Sequence, residues 1–322
     1  MFKRLVSKKI IIILLLLGAV IMCALQYILH ELPDVGTAPV ISIERSPKRV
    51  ERGKYLALNV MACMDCHSER QWNQYAAPID TNHLGSGGEV FGHDQGIPGK
   101  FVAANLTSYH LGEWTDGEIY RAITTGVSKD GRALFPVMPY LAYGRLDKED
   151  IYSVIAYLRT LPKIERQIPA PLADFPMNFI IHTIPRRAAP EAAPSRDSKI
   201  AYGSYLVLAA DCRTCHTADH GDDFSGGRPF KIGSITTYSA NISPDREFGI
   251  GSWTEDEFIA RFKAYANIRD DHPVQDDEFQ TIMPWSQFGK MKETDLAAIY
   301  AYLKSVKPVN KETARFRINQ YK

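Results

Sequence analysis

The chain has 322 residues, a formal net charge of +1 at pH 7 and a hydrophobic share of 45%. That length allows about two domains, and the composition is that of an ordinary folded protein. A near-neutral charge argues against nucleic acid as a partner, because a phosphate-binding surface needs an excess of Lys and Arg.

The N-terminal segment 1–30 predicts a membrane anchor. An uncharged apolar run extends over 10–29, which is about the 20 residues that a helix needs to cross the hydrocarbon core. Four basic residues precede the run and Glu31 follows it, so the positive-inside rule places the N-terminus in the cytoplasm. We therefore expect a single-pass protein of the inner (cytoplasmic) membrane with its remainder in the periplasm. A cleaved signal peptide is the alternative, although the run is long for one.

The part after the anchor contains one set of sequence blocks twice. A Cys-x-x-Cys-His motif begins at Cys63 and again at Cys212, and four further blocks follow each motif in the same order. The offset between the copies is 149 at the cysteines and 145 at Met138 and Met283, so the blocks are kept while the loops differ in length. We infer a tandem duplication.

The boundaries of the copies follow from composition. We expect a linker over 31–45, a first domain over 46–165 and a second domain over 196–310. Prolines crowd the stretch over 166–195, which predicts an extended linker because proline fixes the backbone and removes a donor. Residues 311–322 form a short basic tail.

Helical signals dominate both copies. The last block of each copy has apolar residues at i, i+3, i+4 and i+7, which is one helical face; they are Ile151, Val154, Ile155 and Leu158, then Leu296, Ile299, Tyr300 and Leu303. Thr115 with Glu118, and Thr254 with Glu257, match the capping box. No segment shows sustained strand alternation, so we predict an all-α protein.

Three kinds of site use the Cys-x-x-Cys spacing. A redox disulfide would not need the following His and would favour a βαβ context that is missing. A zinc site could draw ligands from both motifs, but each motif lies in its own copy with its own downstream blocks. A haem c attachment site uses both cysteines and the histidine, with two thioether bonds and a His on the iron.

We therefore predict two covalently attached haem c groups. The predicted covalent attachment points are Cys63, Cys66, Cys212 and Cys215. The predicted proximal ligands of the iron are His67 and His216, which follow these cysteines directly.

The sixth iron position is predicted to be filled by methionine. Met138 and Met283 fall in matching blocks, each followed by proline and an aromatic residue. The histidines of the first copy, His83, His93 and His110, have no counterparts in the second copy. An isolated methionine is more often core filler, but two in one repeated block favour the axial role.

These motifs resemble class I cytochromes c. The blocks "AANLTS" and "SANISP", the Trp-Thr-x-x-Glu pattern and "MPY" or "MPW" resemble those of the cytochrome c subunits of membrane-bound periplasmic alcohol, aldehyde and gluconate dehydrogenases. The resemblance covers nearly everything from Arg49 to Pro308 and implies two tandem class I cytochrome c domains plus the N-terminal transmembrane helix. It also implies that a first and a last helix cross through a small residue and an aromatic, matched by Gly53 with Tyr55 and by Gly203 with Tyr205.

The sequence departs from that family in two ways. Those subunits typically have three haem domains, whereas this chain has two motifs. The second copy also has a longer, acidic stretch over 267–280, so we expect its haem edge to be shielded or docked differently.

The predicted ligand set indicates a function. His and Met on opposite sides of iron leave no open position, which suits electron transfer better than oxygen or peroxide chemistry. We predict a membrane-anchored dihaem cytochrome c that carries electrons in the periplasm. Its partners would be a dehydrogenase or quinol-oxidising complex on one side, and a terminal oxidase or another cytochrome on the other. An oxidoreductase subunit with one catalytic haem is the alternative, and a haem-based gas sensor is a weaker one.

Overall fold

The computed structural model describes residues 2–267 and 272–319. Most of their regular structure is helical. The helices before the proline-rich stretch are α1 (Phe2–Glu31), α2 (Pro47–Tyr55), α3 (Cys63–Cys66), α4 (Ser108–Leu111), α5 (Asp116–Thr125), α6 (Tyr140–Tyr143) and α7 (Lys148–Leu158). The later helices are α8 (Met177–Ile180), α9 (Lys199–Ala209), α10 (Cys212–His216), α11 (Glu255–Lys263), α12 (Trp285–Phe288) and α13 (Glu293–Ser305). A π-helical turn over Leu56–Val60 extends α2 toward α3.

Several helix boundaries agree with the sequence signals. The amide of Glu118 donates to Thr115 Oγ1 at 3.2 Å, and Thr115 N donates back to Glu118 Oε2 at 2.7 Å. Thr254 and Glu257 make the same two bonds at the start of α11. Both capping boxes are therefore confirmed, and each satisfies amides that a helix start leaves unpaired.

The all-α prediction is wrong, because the structure contains two small antiparallel sheets. Each has three strands; they are β1 (Val90–Phe91), β2 (Gly99–Val102) and β3 (Leu172–Ala173), then β4 (Pro229–Ile232), β5 (Ile235–Tyr238) and β6 (Phe316–Ile318). In register, Phe91 pairs with Phe101 and Thr236 pairs with Arg317. Strands of two to four residues are too short to show an alternating pattern. The clearest signal was "FKIGSITTY", where a Gly-Ser turn separates two β-favouring runs.

The prediction of two tandem domains is also wrong. Buried side chains of both copies belong to one hydrophobic cluster, which joins Leu56 and Met64 to Leu206 and Leu296. The proline-rich stretch supplies β3 and the basic tail supplies β6, so neither is a free connector. The copies are not clearly separate domains, because apolar surface that each would expose alone is buried against the other.

Two glycines allow the closest helix crossings. A Cβ on Gly53 of α2 would lie 1.7 Å from the carbonyl oxygen of Ser153 on α7, and a Cβ on Gly203 of α9 would lie 1.9 Å from that of Ala298 on α13. Only glycine permits backbones to approach this closely. These are the crossings that the resemblance implied.

The methionine blocks lie across the boundary between the copies. Helix α6, just after Met138, contacts α9 of the second copy. Helix α12, just after Met283, contacts the π-helical turn of the first copy. Each copy therefore places its methionine segment against the helix that leads into the other copy's motif.

Helix α1 stands apart from this core. Its segment Lys8–Glu31 is long and apolar enough to cross a membrane, with a mean hydropathy of 2.7 over an 18-residue window. Nearly all of its described side chains are exposed. In water such a surface would be strongly unfavourable, so the helix is a candidate membrane anchor.

Candidate haem sites

The first Cys-x-x-Cys-His motif is a single helical turn followed by its histidine. Helix α3 holds Cys63 and Cys66, and His67 is its C-cap. The turn begins after Ala62, whose φ of 46° is left-handed. Such strain in a non-glycine residue is held by the surrounding structure and often marks a functional site. Within the motif, the buried Asp65 pairs with Arg70 at 3.0 Å.

The second motif has nearly the same backbone shape. Helix α10 holds Cys212, Cys215 and His216, and it follows Asp211, whose φ of 50° is also left-handed. Burial raises the pKa of the Asp211 carboxyl to about 6. Two motifs in separate copies thus share one local conformation.

Both motif histidines are fixed by a main-chain carbonyl. His67 Nδ1 lies 2.7 Å from the oxygen of Ala104, and His216 Nδ1 lies 2.8 Å from that of Ala240. A carbonyl only accepts, so Nδ1 carries the proton and Nε2 keeps its lone pair. Burial lowers the pKa of both imidazoles, which favours the neutral form. A neutral imidazole held in this way is the usual form of a histidine that binds metal.

Two asparagines hold these carbonyls in place. Asn105 donates from Nδ2 to the oxygens of Ile164 and Arg166, at 2.9 and 3.2 Å. Asn241 donates in the same way to Val309 and Lys311, at 2.8 and 3.1 Å. Asn105 directly follows Ala104, and Asn241 directly follows Ala240, so each asparagine anchors the residue whose carbonyl holds a motif histidine. The acceptors of these bonds lie just after α7 in the first copy and just after α13 in the second. Sequence reasoning identified these repeated blocks but not this positioning role.

The motif cysteines are free thiols that are mostly withdrawn from water. No disulfide joins either pair. Burial raises the pKa of Cys63, Cys66 and Cys212 to about 12, and that of Cys215 to about 11. The four cysteines are only partly exposed, and pairs one helical turn apart beside a histidine fit the covalent attachment of haem.

The structure gives no support to a shared zinc site. In the described ranges, one trio of ligand-type side chains lies close enough to share a metal ion, namely Glu69, Asp80 and His83. It contains none of the motif cysteines and lies largely exposed. The other histidines of the first copy are engaged elsewhere, since His93 pairs with Asp174 and His110 contacts the ring of Trp114.

Met138 and Met283 occupy equivalent turns at the edge of the core. The amide of Tyr140 donates to the Met138 oxygen at 2.8 Å, and that of Trp285 donates to the Met283 oxygen at 2.7 Å. Both methionines are half-buried and pack on the cluster that Cys63 and Cys212 also contact. Their axial role stays a prediction.

A cavity joins the first methionine to the second motif. It has a volume of about 250 Å³, and its lining includes Met138 and Pro139 from the first copy with Leu208, Asp211 and Thr214 from the second. The lining side chains come from both copies, so this part of the second site is built across the boundary between them.

The described part of the acidic stretch contacts the first copy as well as its own, where Phe279 packs against Phe316. Val274 N donates to Asn73 O at 3.0 Å, and Tyr75 N donates to His272 O at 2.9 Å. Gln280 binds the same loop through its amide, accepting from Ala76 N at 2.7 Å. This loop follows the first motif directly. Residues 268–271 lie outside the described residues, and sequence offered no sign of this contact beyond the extra length.

The sequence of the chain is similar to the sequences of known cytochromes c. Residues 200–307 match the family described as Cytochrome c. The chain is 28% identical over 301 residues to the alcohol dehydrogenase (quinone) cytochrome c subunit of Komagataeibacter europaeus, which covers 85% of this chain and 59% of the relative. It is 27% identical over 286 residues to the gluconate 2-dehydrogenase cytochrome c subunit of Pantoea cypripedii, covering 80% and 59%. It is 29% identical over 278 residues to the fructose dehydrogenase cytochrome subunit of Gluconobacter japonicus, covering 80% and 52%.

The chain thus spans little more than half the length of these curated relatives. The likeness nevertheless extends over most of this chain. Residues 200–307 match the cytochrome c family, a match that implies covalently bound haem c, and most of the chain is similar to the cytochrome c subunits of dehydrogenases.

Proposed function

We propose that the protein is a membrane-anchored c-type cytochrome with two haem c groups, which passes electrons in the periplasm between a dehydrogenase or quinol-oxidising complex and an oxidase or another cytochrome. The observation that carries the proposal is the equivalence of the two motifs. Each has a left-handed residue, a helical turn with two free cysteines, and a histidine fixed through Nδ1 on a carbonyl.

Each residue has a defined role in this proposal. Cys63 and Cys66 hold one group, and Cys212 and Cys215 hold the other. His67 and His216 would bind the iron through Nε2, because their Nδ1 atoms are already engaged. Met138 and Met283 would supply their thioether sulfurs as further ligands of the iron. A haem c so held supplies a one-electron couple whose potential His/Met ligation raises.

The shared core supports transfer within the molecule. The Met138 turn borders the second motif, and α12 contacts the helical turn that leads into the first. Packed side chains, rather than a flexible linker, therefore fix the separation of the two sites. A fixed separation keeps the rate of electron exchange between them constant.

The partners and location follow from the relatives and from α1. The relatives are named as cytochrome subunits of dehydrogenases, so a dehydrogenase is the proposed donor. A single pass of α1 through the inner membrane, with Lys8 and Lys9 inside, leaves the motifs in the periplasm. Tethering to the same membrane raises the effective concentration of the partners.

Affinity capture of the tagged full chain from detergent-solubilised membranes tests this function. We expect a dehydrogenase or respiratory complex to be recovered, and its substrate or quinol to reduce the captured c-type haem. Recovery of the holoprotein with no redox protein, together with haem that no respiratory donor reduces, would contradict the proposal. A chain lacking α1 is the control for the effect of the tether.

A further inference from the structure

We propose that the proline-rich stretch between the copies rests on the outer lipid surface of the membrane, beside the anchor helix. The contact is made by an exposed apolar edge formed by Leu172, Phe175 and Ile180. This inference rests on the proposed membrane anchor and deepens it, because it fixes how the protein body sits on the bilayer.

The stretch is docked on the last turns of the anchor. Helix α1 contacts α8 and the short 3₁₀ turn Ile181–Thr183 that follows it. Among the described side chains from Lys8 to His30, those of Leu25 and Ile28 are half-buried and the rest are exposed. These two positions are about one helical turn apart and lie inside the apolar run. Helix α8 therefore sits near the depth of the hydrocarbon boundary.

Two polar contacts hold the same junction on the water side. His182 Nδ1 lies 3.3 Å from the carbonyl oxygen of Leu32. Arg187 pairs with Asp34 at 2.8 Å. Both contacts fall just beyond the end of α1, where the lipid headgroup region would begin. A basic side chain such as that of Arg187 is favoured there, because it lies next to lipid phosphates.

The apolar edge beside this junction is unusually exposed. Leu172 is 69% exposed, Phe175 83% and Ile180 44%. The ring of Phe175 packs edge-on against Phe179, with centroids 6.3 Å apart. Three large apolar side chains so close in the chain form a surface that water disfavours and that typically marks an interaction site. An aromatic and aliphatic edge at this depth is the composition that interfacial membrane contacts use.

The edge cannot turn inward to escape water. Strand β3 pairs with β2, so the backbone at Leu172 is fixed to the body of the protein. On the other side, Ile181 is buried in a small cluster with Phe101 and Ala133. Asp174, the one acidic residue of the stretch over 167–190, is turned toward His93. Asn178 is the exposed polar residue between Phe175 and Ile180. It carries no charge, so the three apolar side chains of the edge still match a lipid partner.

Photolabelling in a bilayer tests this contact. The full-length holoprotein is placed in nanodiscs of phosphatidylcholine and phosphatidylglycerol that carry a diazirine on the acyl chain, then digested and mapped by mass spectrometry. We expect labelling of the peptide with Leu172 to Ile180 as well as of α1. The matched references are peptides with Ile200 and Ile318, which are 53% and 57% exposed but lie elsewhere.

The outcomes separate this inference from the proposed anchor. Label on α1 with no more on the linker peptide than on the Ile200 peptide would overturn the surface contact and leave the anchor intact. Absence of label from α1 would overturn the anchor, and this inference with it. Label on both, several-fold above the references, supports the contact.

A pair of variants assigns the contact to named side chains. The double substitution Phe175→Ser and Ile180→Ser should reduce labelling of the linker peptide to the reference level without changing that of α1. The control, Ile200→Ser with Ile318→Ser, should leave linker labelling unchanged. Both pairs change exposed residues, so folding is preserved. Full linker labelling in the first variant would contradict the assignment.

Discussion

The hydroxyl of Tyr55 donates a hydrogen bond to Oδ2 of Asp295 at 2.7 Å, although 240 residues separate them. The repeat supplies the equivalent bond in the opposite direction, from Tyr205 to Asp150 Oδ2, also at 2.7 Å. Each copy thus donates a tyrosine proton to a carboxylate of the other, next to the helix crossing. Burial, and then the facing carboxylate, raises the pKa of both phenols well above the ordinary value.

Each carboxylate is also paired within its own copy. Arg52 donates to both oxygens of Asp150, at 2.9 and 2.7 Å. Arg196 donates to Asp295 Oδ1 at 3.1 Å. The charge on each aspartate is therefore compensated locally, and the tyrosine adds the bond that joins the two copies. These two bonds add to the apolar contacts that join the copies in the larger hydrophobic cluster.

Tyr55→Phe should destabilise the whole holoprotein. The substitution leaves Asp295 with one donor fewer, and a hydrogen bond to a charged group contributes about 1.5–3 kcal/mol. The free energy of unfolding from denaturant titration measures the change. Tyr109→Phe, at an exposed ring, is the control, with an expected change within about 0.5 kcal/mol. An equal effect of both substitutions would show that the cross-copy bond adds nothing.

Gly53→Ala should be more damaging than the same substitution at a glycine that has more room. The new methyl would meet the Ser153 carbonyl at 1.7 Å, and α2 would have to move away from α7. Such overpacking with a backbone shift typically costs about 1–3 kcal/mol. Gly92→Ala is the control, because its nearest atom lies 3.3 Å away. Equal thermal midpoints for the two variants would refute the tight crossing.

Met138→Ala should open one iron position. The reduced variant is expected to bind carbon monoxide at one haem, whereas the parent protein binds little. Met138→His should keep a six-coordinate haem but lower its potential, because the thioether no longer favours the reduced state. Met291→Leu, at a buried methionine of the core, should change neither property. Carbon monoxide binding by the parent protein would instead favour a catalytic haem.

His83 and Asp80 should make stability weakly dependent on pH. Their contact at 2.6 Å raises the pKa of the His83 imidazole and lowers that of the Asp80 carboxyl. A raised histidine pKa gives stability that is complete below its unfolded value of 6.5 and is lost as pH rises through the folded pKa. A lowered carboxyl pKa gives stability above 3.8 that is lost as pH falls through the folded pKa.

The comparison of His83→Gln with the parent protein tests this linkage. The thermal midpoints should differ at about pH 6 and coincide at about pH 9, where the imidazole is neutral. The effect should be small, since both groups are solvated. Arg145→Gln, which alters an exposed ion pair that contains no histidine, controls for general surface effects. An identical difference at both pH values would contradict the assignment.

Features that depend on residues close in the sequence were predicted correctly, and contacts between residues far apart in the sequence were not. The capping boxes at Thr115 and Thr254 depend on residues three apart, and the amphipathic faces of α7 and α13 depend on residues three and four apart. The bond from Tyr55 to Asp295 and the contact of Gln280 with the loop at Ala76 depend on how two distant copies meet. No periodic pattern in the sequence predicts which residues of the two copies come into contact.

The sheets were missed for a related reason. Strand β3 comes from a proline-rich stretch and β6 from a basic tail, and each forms only by pairing with a strand far along the chain. Tertiary pairing therefore decided their conformation, not local propensity. The motif geometry was easier to predict, because the motif residues act within one helical turn. The asparagines at 105 and 241 were visible as a repeat, but their bonds needed the fold.

The count of covalently bound haem tests the central claim most directly. The full chain is expressed with c-type maturation, and its intact mass is measured under denaturing conditions. We expect the 36.2 kDa polypeptide plus two haem groups, with one group lost from the Cys63→Ser, Cys66→Ser variant and the other lost from the Cys212→Ser, Cys215→Ser variant. A parent mass with one haem group or none would contradict it.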